Sequence, residues 1–215
     1  SVKIMSVIPR SPADKAGIKA GDTLITINDN EINDVLDYQF YVSDPKLVIG
    51  LDRRTVKVKK KEYEDLGLEF ETYLMDKKQH CRNNCIFCFI NQMPKGMRDT
   101  LYFKDDDSRL SFLQGNYITM TNLTDNDVER IIKMKLPMNI SVHTTNPELR
   151  AQMTCNPNAG KCLQYLYKMA GAGIELNTQI VLVPDFNDGK ELEFSLSELG
   201  KLYPAVQSIA CVPVG

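Results

Sequence analysis

Three cysteines, Cys81, Cys85 and Cys88, crowd into one short stretch of the chain, and nothing else in the sequence restricts the fold as much. Disulfide frameworks rarely gather their thiols this way in a chain of 215 residues, so a reducing compartment and a metal centre fit better. The spacing C-x3-C-x2-C puts three soft thiolate ligands on a single loop. Such ligands suit iron-sulfur clusters and zinc. Structural zinc generally takes four ligands, often as two C-x2-C pairs, whereas three thiolates leave one metal position open. His80 would complete a Cys3His zinc staple, although a residue adjacent to Cys81 chelates the same ion awkwardly. Cys155, Cys162 and Cys211 follow no ligand spacing and read as ordinary free thiols.

A chain of this length can bury one medium core or two small ones. Hydrophobic residues make up 43% and charged residues 25%, close to ordinary soluble usage, and no stretch nears the ~18 apolar residues of a spanning helix, so no membrane partner is expected. A net charge of -2 and a pI near 5.8 provide no overall positive field, and nucleic acid is not indicated. Ser1 to Pro9 lacks the basic region, apolar core and cleavage site of a secretory signal, which makes the cytoplasm the expected location.

The first sixty or so residues read as a β-rich module. Val2 to Ile8 is apolar, Pro9 to Pro12 is a turn, and a short helical run ends at Ala16 before Gly17. Thr23 to Asn28 alternates as a strand, with Ile25 and Ile27 on the face expected to be buried and Leu24, Thr26 and Asn28 on the other. Glu31 to Val42 has the pattern of an amphipathic helix. Leu47–Leu51 and Thr55–Lys59 form a hairpin turning at Asp52-Arg53-Arg54. The run Ser11-Pro12-Ala13-Asp14-Lys15-Ala16-Gly17-Ile18-Lys19-Ala20-Gly21-Asp22, followed by Leu24-Ile25-Thr26-Ile27-Asn28, resembles the central signature of bacterial PDZ domains. Gly17 there closes the helix with a positive φ. The resemblance implies a module that captures a peptide or protein tail by strand addition. The loop such domains place before their binding strand does not precede Val2. Leu66-Gly67-Leu68-Glu69-Phe70 is similar to it and comes last, as in a circular permutation; the alternative is that these residues simply lead into the next domain.

Beyond Phe70 the rhythm becomes strand and helix in alternation. Tyr117–Thr121, Met138–His143, Leu176–Val183 and Val206–Val212 read as strands. Thr124 offers an N-cap to a helix carrying Val128, Ile131 and Ile132, and Pro147–Met153, Cys162–Ala172 and Glu191–Leu202 read as helical, the last capped at Asn187-Asp188. The fold class is therefore α/β: a small β-rich PDZ-like domain at 1–66, then a partial (β/α) barrel at 67–215. The barrel is expected to be truncated at its C-terminal end, because Cys211 to Gly215 is an apolar strand end with no helix after it.

The cysteine spacing, with aromatic Phe87 just before the last cysteine, resembles the radical S-adenosylmethionine (SAM) superfamily. Cys88 to Arg98, Lys104 to Leu113 and Gly115-Asn116-Tyr117 look like a bacterial family that joins a PDZ-like domain, a radical SAM core and a C-terminal DUF512 domain; that last domain is not in this sequence. The resemblance implies a four-iron, four-sulfur cluster on Cys81, Cys85 and Cys88, with SAM on the open iron and a 5′-deoxyadenosyl radical as the product of its reductive cleavage. It also implies a reductant such as ferredoxin or flavodoxin, and a substrate that stays unknown. Phe87 would lie near the adenine. Where the superfamily commonly carries Gly-Gly-Glu to hold the SAM amino group, this chain has Met120-Thr121-Asn122, and the role passes to Thr121 and Asn122. Ser141 and His143 at the end of one strand and Gln179 in the next would face the cofactor if the strand ends form the site, His143 foremost. Each is otherwise a hydrogen-bonded core polar group. Asp105-Asp106-Asp107 with Arg109 reads as a solvated charged face. A reading of a different class makes the protein an iron-sulfur redox or iron sensor with a PDZ-like partner-binding module.

Overall fold

The computed structural model describes residues 1–215 and divides them into two compact units, Ser1–Lys78 and Gln79–Gly215. The first is an antiparallel sheet with two short helices. Its strands are β1 (Val2–Val7), β2 (Thr23–Ile27), β3 (Asn30–Glu31), β4 (Lys46–Leu51), β5 (Thr55–Lys59) and β6 (Leu68–Phe70), and its helices are α1 (Pro12–Lys15) and α2 (Val35–Tyr41). The ladder runs β5-β4-β2-β1-β6, with β3 paired to β2. Ser11 caps α1 by accepting the Asp14 N–H at 3.2 Å, Pro12 supplies a preset φ, and Gly17 at φ +79° turns the chain out of the helix.

Two expectations change within this unit. Simple alternation in β2 buries Ile25 and Ile27, but the structure buries Leu24 and Ile27 fully and leaves Ile25 half-buried. The register against β4 shifts between Leu24 and Thr26, a bulge that turns residues three apart toward one core. The helix expected from Glu31 starts only at Val35. Asp34 caps it through the Leu36 and Asp37 N–H groups, while Asn30 and Glu31 pair with β2 instead.

Leu66 to Phe70 belongs to the first sheet. β6 pairs antiparallel with β1, Val7 opposite Leu68 and Ile4 opposite Phe70. Gly67 sits at φ +84°, where an added Cβ would stand 2.3 Å from the Ser11 Cβ, so only glycine fits that approach to α1. The Leu74 carbonyl then accepts the Val35 N–H at 3.3 Å. These bonds hold the chain to the first unit as far as Lys78, whereas the sequence pattern puts the boundary at Leu66.

The second unit holds α3 (Phe89–Gln92), a 3-10 turn (Asp99–Tyr102), α4 (Ser108–Gln114), α5 (Asp125–Met134), β7 (Met138–Ser141), α6 (Pro147–Thr154), α7 (Leu163–Gly171), β8 (Leu176–Leu182), α8 (Gly189–Gly200) and β9 (Val206–Pro213). The three strands form a parallel sheet in the order β7-β8-β9. Thr124 and Asp127 form a reciprocal capping box on α5, whose Val128 and Ile131 are buried. Met138, Ile140, Leu176 and Ile180 fill the apolar face of the sheet. Asn139, Ser141, Asn177 and Gln179 lie on the opposite face, Asn139 in register with Asn177 and Ser141 with Gln179.

Tyr117–Thr121, expected as a strand, keeps one parallel bridge, Ile118 to Ile140. The Thr119 N–H goes to the Asp106 carboxylate at 2.6 Å, and Met120 takes φ +64°, so the ladder stops there. Before the cysteine loop stands a single antiparallel bridge, His80 to Asp105.

Candidate metal centre

Backbone bonds to two different elements hang the cysteine loop in place. The Cys81 N–H donates to the Lys104 carbonyl at 2.8 Å, and Asn84 and Ile86 donate to Thr154 and Met153 at the end of α6, at 3.0 and 2.9 Å. The Cys88 N–H turns back to the Cys85 carbonyl at 3.0 Å, which folds the C-x2-C segment into one turn before α3. Asn83 is buried and pins the loop sideways. Its amide donates to Thr119 Oγ1 at 2.8 Å and its oxygen accepts from Asn156 at 2.7 Å.

All three cysteines are free and half-buried, and all three line one cavity of about 450 Å³ together with Phe89, Phe103 and Tyr117. Burial pushes the Cys85 thiol up to about 12, and the charges of Cys81 and Cys88 add to that. Burial and then the Asp106 carboxylate raise Cys81 as well. The thiols are near enough to feel one another, yet no three His, Cys, Asp or Glu side chains converge tightly enough for a single metal ion. His80 is exposed and packs against Phe103, ring centroids 4.4 Å apart and planes tilted by 60°. Three thiolates without a further cysteine or histidine are the donor set of a sulfur-bridged iron cluster, whereas structural zinc generally takes four ligands.

Phe87 and His143, singled out separately in the sequence, meet at 4.5 Å between ring centroids. His143 follows β7 at φ +64° and is buried. Its Nδ1 accepts from the Val181 N–H at 3.4 Å, and its carbonyl accepts from Asn187 at 2.7 Å. Burial lowers its pKa to about 3, with the Arg150 charge acting in the same direction. The imidazole is therefore neutral at physiological pH. Asn187, expected as a cap for α8, instead bridges His143, Val181 and Val183 at the strand ends. Ser141 and Gln179 stand side by side in register, Ser141 buried and Gln179 half-buried.

Thr121 and Asn122 reach the cysteine loop through Asp106. Thr121 Oγ1 donates to the Asp106 carboxylate at 3.2 Å, and the Asn122 amide donates to the His80 carbonyl at 2.8 Å and that of Asp106 at 3.3 Å. Asn122 Oδ1 is buried and accepts nothing from the protein. An orphaned acceptor one residue from the cysteine loop's entry fits a ligand that brings its own N–H donor.

Two charged groups escape the sequence pattern. Asp106 and Asp107 are buried with Arg109, so Asp105-Asp106-Asp107 is not a solvated face. Asp107 caps α4, takes the Arg109 guanidinium through both oxygens at 2.8 and 2.6 Å, and accepts from the Gln79 N–H. Burial raises the Asp106 carboxyl above the usual range, against the hydrogen bonds from Thr119 and Thr121. Arg150 is fully buried in α6 and donates to the carbonyls of Val142, Ser141, Thr119 and Ala159. Burial lowers its pKa to about 10, which leaves it cationic near Cys85 and Asp106. Its signal in the sequence is its position three residues before Met153 and four before Thr154, on the buried stripe of a helix. Cys155 and Cys211 are exposed, and Cys162 is buried against the Asn158 carbonyl.

Residues 60–209 match the profile of the radical SAM-like domain, and residues 3–53 match that of a PDZ domain. No curated protein matches the chain.

Proposed function

The chain belongs to the radical SAM-like domain family, and from that premise we propose that Cys81, Cys85 and Cys88 hold a four-iron, four-sulfur cluster that cleaves SAM reductively. The observation that carries this reading is the set of three free, half-buried thiols lining one cavity with no fourth cysteine and no histidine in its wall. When bound and reduced, the cluster supplies the electron that splits the SAM sulfonium and yields a 5′-deoxyadenosyl radical, chemistry beyond ordinary side chains. The protein's own residues then bind and orient. The Phe87 ring, braced on neutral His143, offers the adenine an apolar surface. Asn122 Oδ1 accepts from the SAM amino group, and Asp106 fixes Thr121 beside it. Ser141 and Gln179 present polar groups from the sheet face opposite the apolar core. Arg150 places a buried positive charge where the cluster brings negative charge, which favours the loaded state.

The reductant is a small electron-transfer protein such as ferredoxin or flavodoxin, the substrate is unassigned, and the PDZ-like unit serves a protein partner. Anaerobic reconstitution with iron and sulfide, then reduction with SAM and chromatography for 5′-deoxyadenosine, tests the reading. Product that disappears in Cys85→Ala is expected. A stable cluster that never turns SAM over would favour a redox or iron sensor, and zinc without sulfide would reduce the loop to a staple.

A further inference from the structure

The two margins of the first unit's sheet differ. At β6 the chain closes over itself: Leu74 is buried, its carbonyl takes the Val35 N–H, and the Tyr38 and Phe70 rings meet edge to face at 5.1 Å. At β5, no backbone group of Thr55–Lys59 bonds to anything outside the ladder with β4. Helix α1 lies across from this open edge, and the two enclose a groove of about 600 Å³.

The groove is basic in a chain whose net charge is -2. Lys15, Lys57, Lys59, Lys60 and Lys61 line it, and none of them forms an ion pair. Its one carboxylate, Glu64, is already engaged with the Lys61 N–H at 2.7 Å. Edge lysines by themselves are a common defence against unwanted strand pairing. That accounts for Lys57 and Lys59 on β5, but not for three further lysines off the strand around a groove.

We propose that this groove takes an extended acidic segment of a partner protein, added to β5 as a further strand. Strand addition satisfies the open backbone edge. Lys57 and Lys59 share the exposed face of β5 while Val58 is buried between them, so the segment that fits carries carboxylates at alternate positions. The lysines repel a basic edge, lose solvation without compensation against a neutral one, and so select an acidic one. No aromatic side chain lines the groove for a base to stack on, which favours a protein segment over a single strand of nucleic acid. Recognition here needs a run of side chains and no terminal carboxylate, which separates it from the tail capture that a PDZ-like module implies.

The test is a fluorescein-labelled peptide of alternating glutamate and valine, blocked at both ends, titrated with the full chain by fluorescence anisotropy while backbone amides are followed by NMR. Saturable binding that weakens with salt is expected, with shifts centred on Thr55–Lys61. K57E/K59E should weaken it about tenfold, and Lys15→Glu, off the strand, should weaken it too. K3E/K19E, with the same charge change outside the groove, should bind as wild type. The proposal is overturned by the absence of saturable binding, by equal loss in K3E/K19E, or by tighter binding of a thymidine oligonucleotide. It is equally overturned if the shifts centre on Leu66–Phe70 and α2 in place of Thr55–Lys61.

Discussion

Arg150 satisfies its guanidinium with four main-chain carbonyls from three places in the chain, so it ties the end of β7 to the segment after Ile118 and to Ala159. Removing it leaves buried acceptors unpaired at once, and Arg150→Ala should cost at least about 3 kcal/mol of the second unit's stability in chemical denaturation. Arg150→Lys should recover only part, because an ammonium cannot span the same fork. His143 makes a second prediction at this scale. Its folded pKa of about 3 lies below the ordinary value of 6.5, so the unfolded chain binds the extra proton between those values. The contribution is fully present above pH 6.5 and is lost as pH falls toward 3, by up to about 1.4 kcal/mol per pH unit. His143→Gln should flatten that part of the stability profile. The gathering of three thiols on one cavity was legible from sequence because the cysteines are local and their spacing is a property of the chain alone. Asp106 and Arg150 were not, because a charge run looks the same on a solvated face and beneath one until tertiary burial separates them.

Secondary elements followed the sequence pattern wherever one local rule governed them. The Thr124 capping box, the β4–β5 hairpin and α6 with Pro147 at its start sit where caps, turns and periodicity put them. The pattern fails where a distant group intervenes. The Asp106 carboxylate takes the Thr119 N–H and ends the strand expected at Tyr117–Thr121, and a bulge exchanges Ile25 for Leu24 in the first core. That exchange is measurable: Leu24→Ala should destabilise by about 2–5 kcal/mol, and Ile25→Ala by clearly less, since only the former empties a fully buried site. The reverse order of the two would contradict the bulge.

At the scale of the molecule, the chain is two units whose division falls after Lys78. A fragment ending at Lys78 should fold alone and give dispersed amide resonances, whereas one ending at Leu66 loses β6 and its pairing with β1 and should not. The α/β class was legible from the change of rhythm near Phe70, and of the two readings of Leu66–Phe70 the pairing of β6 with β1 supports the permuted one, which a local pattern could not decide because the pairing is long-range. The proposed function requires the three thiolates of the second unit to hold a cluster whose remaining iron is open to SAM. Electron paramagnetic resonance of the reconstituted, reduced chain, with and without SAM, measures that directly. On this account, chemical analysis of the same sample should give about four irons and four sulfides per chain, the reduced-cluster signal should shift when SAM is added, and Cys81→Ala should lose both. A signal indifferent to SAM, or zinc in place of iron and sulfide, would contradict it.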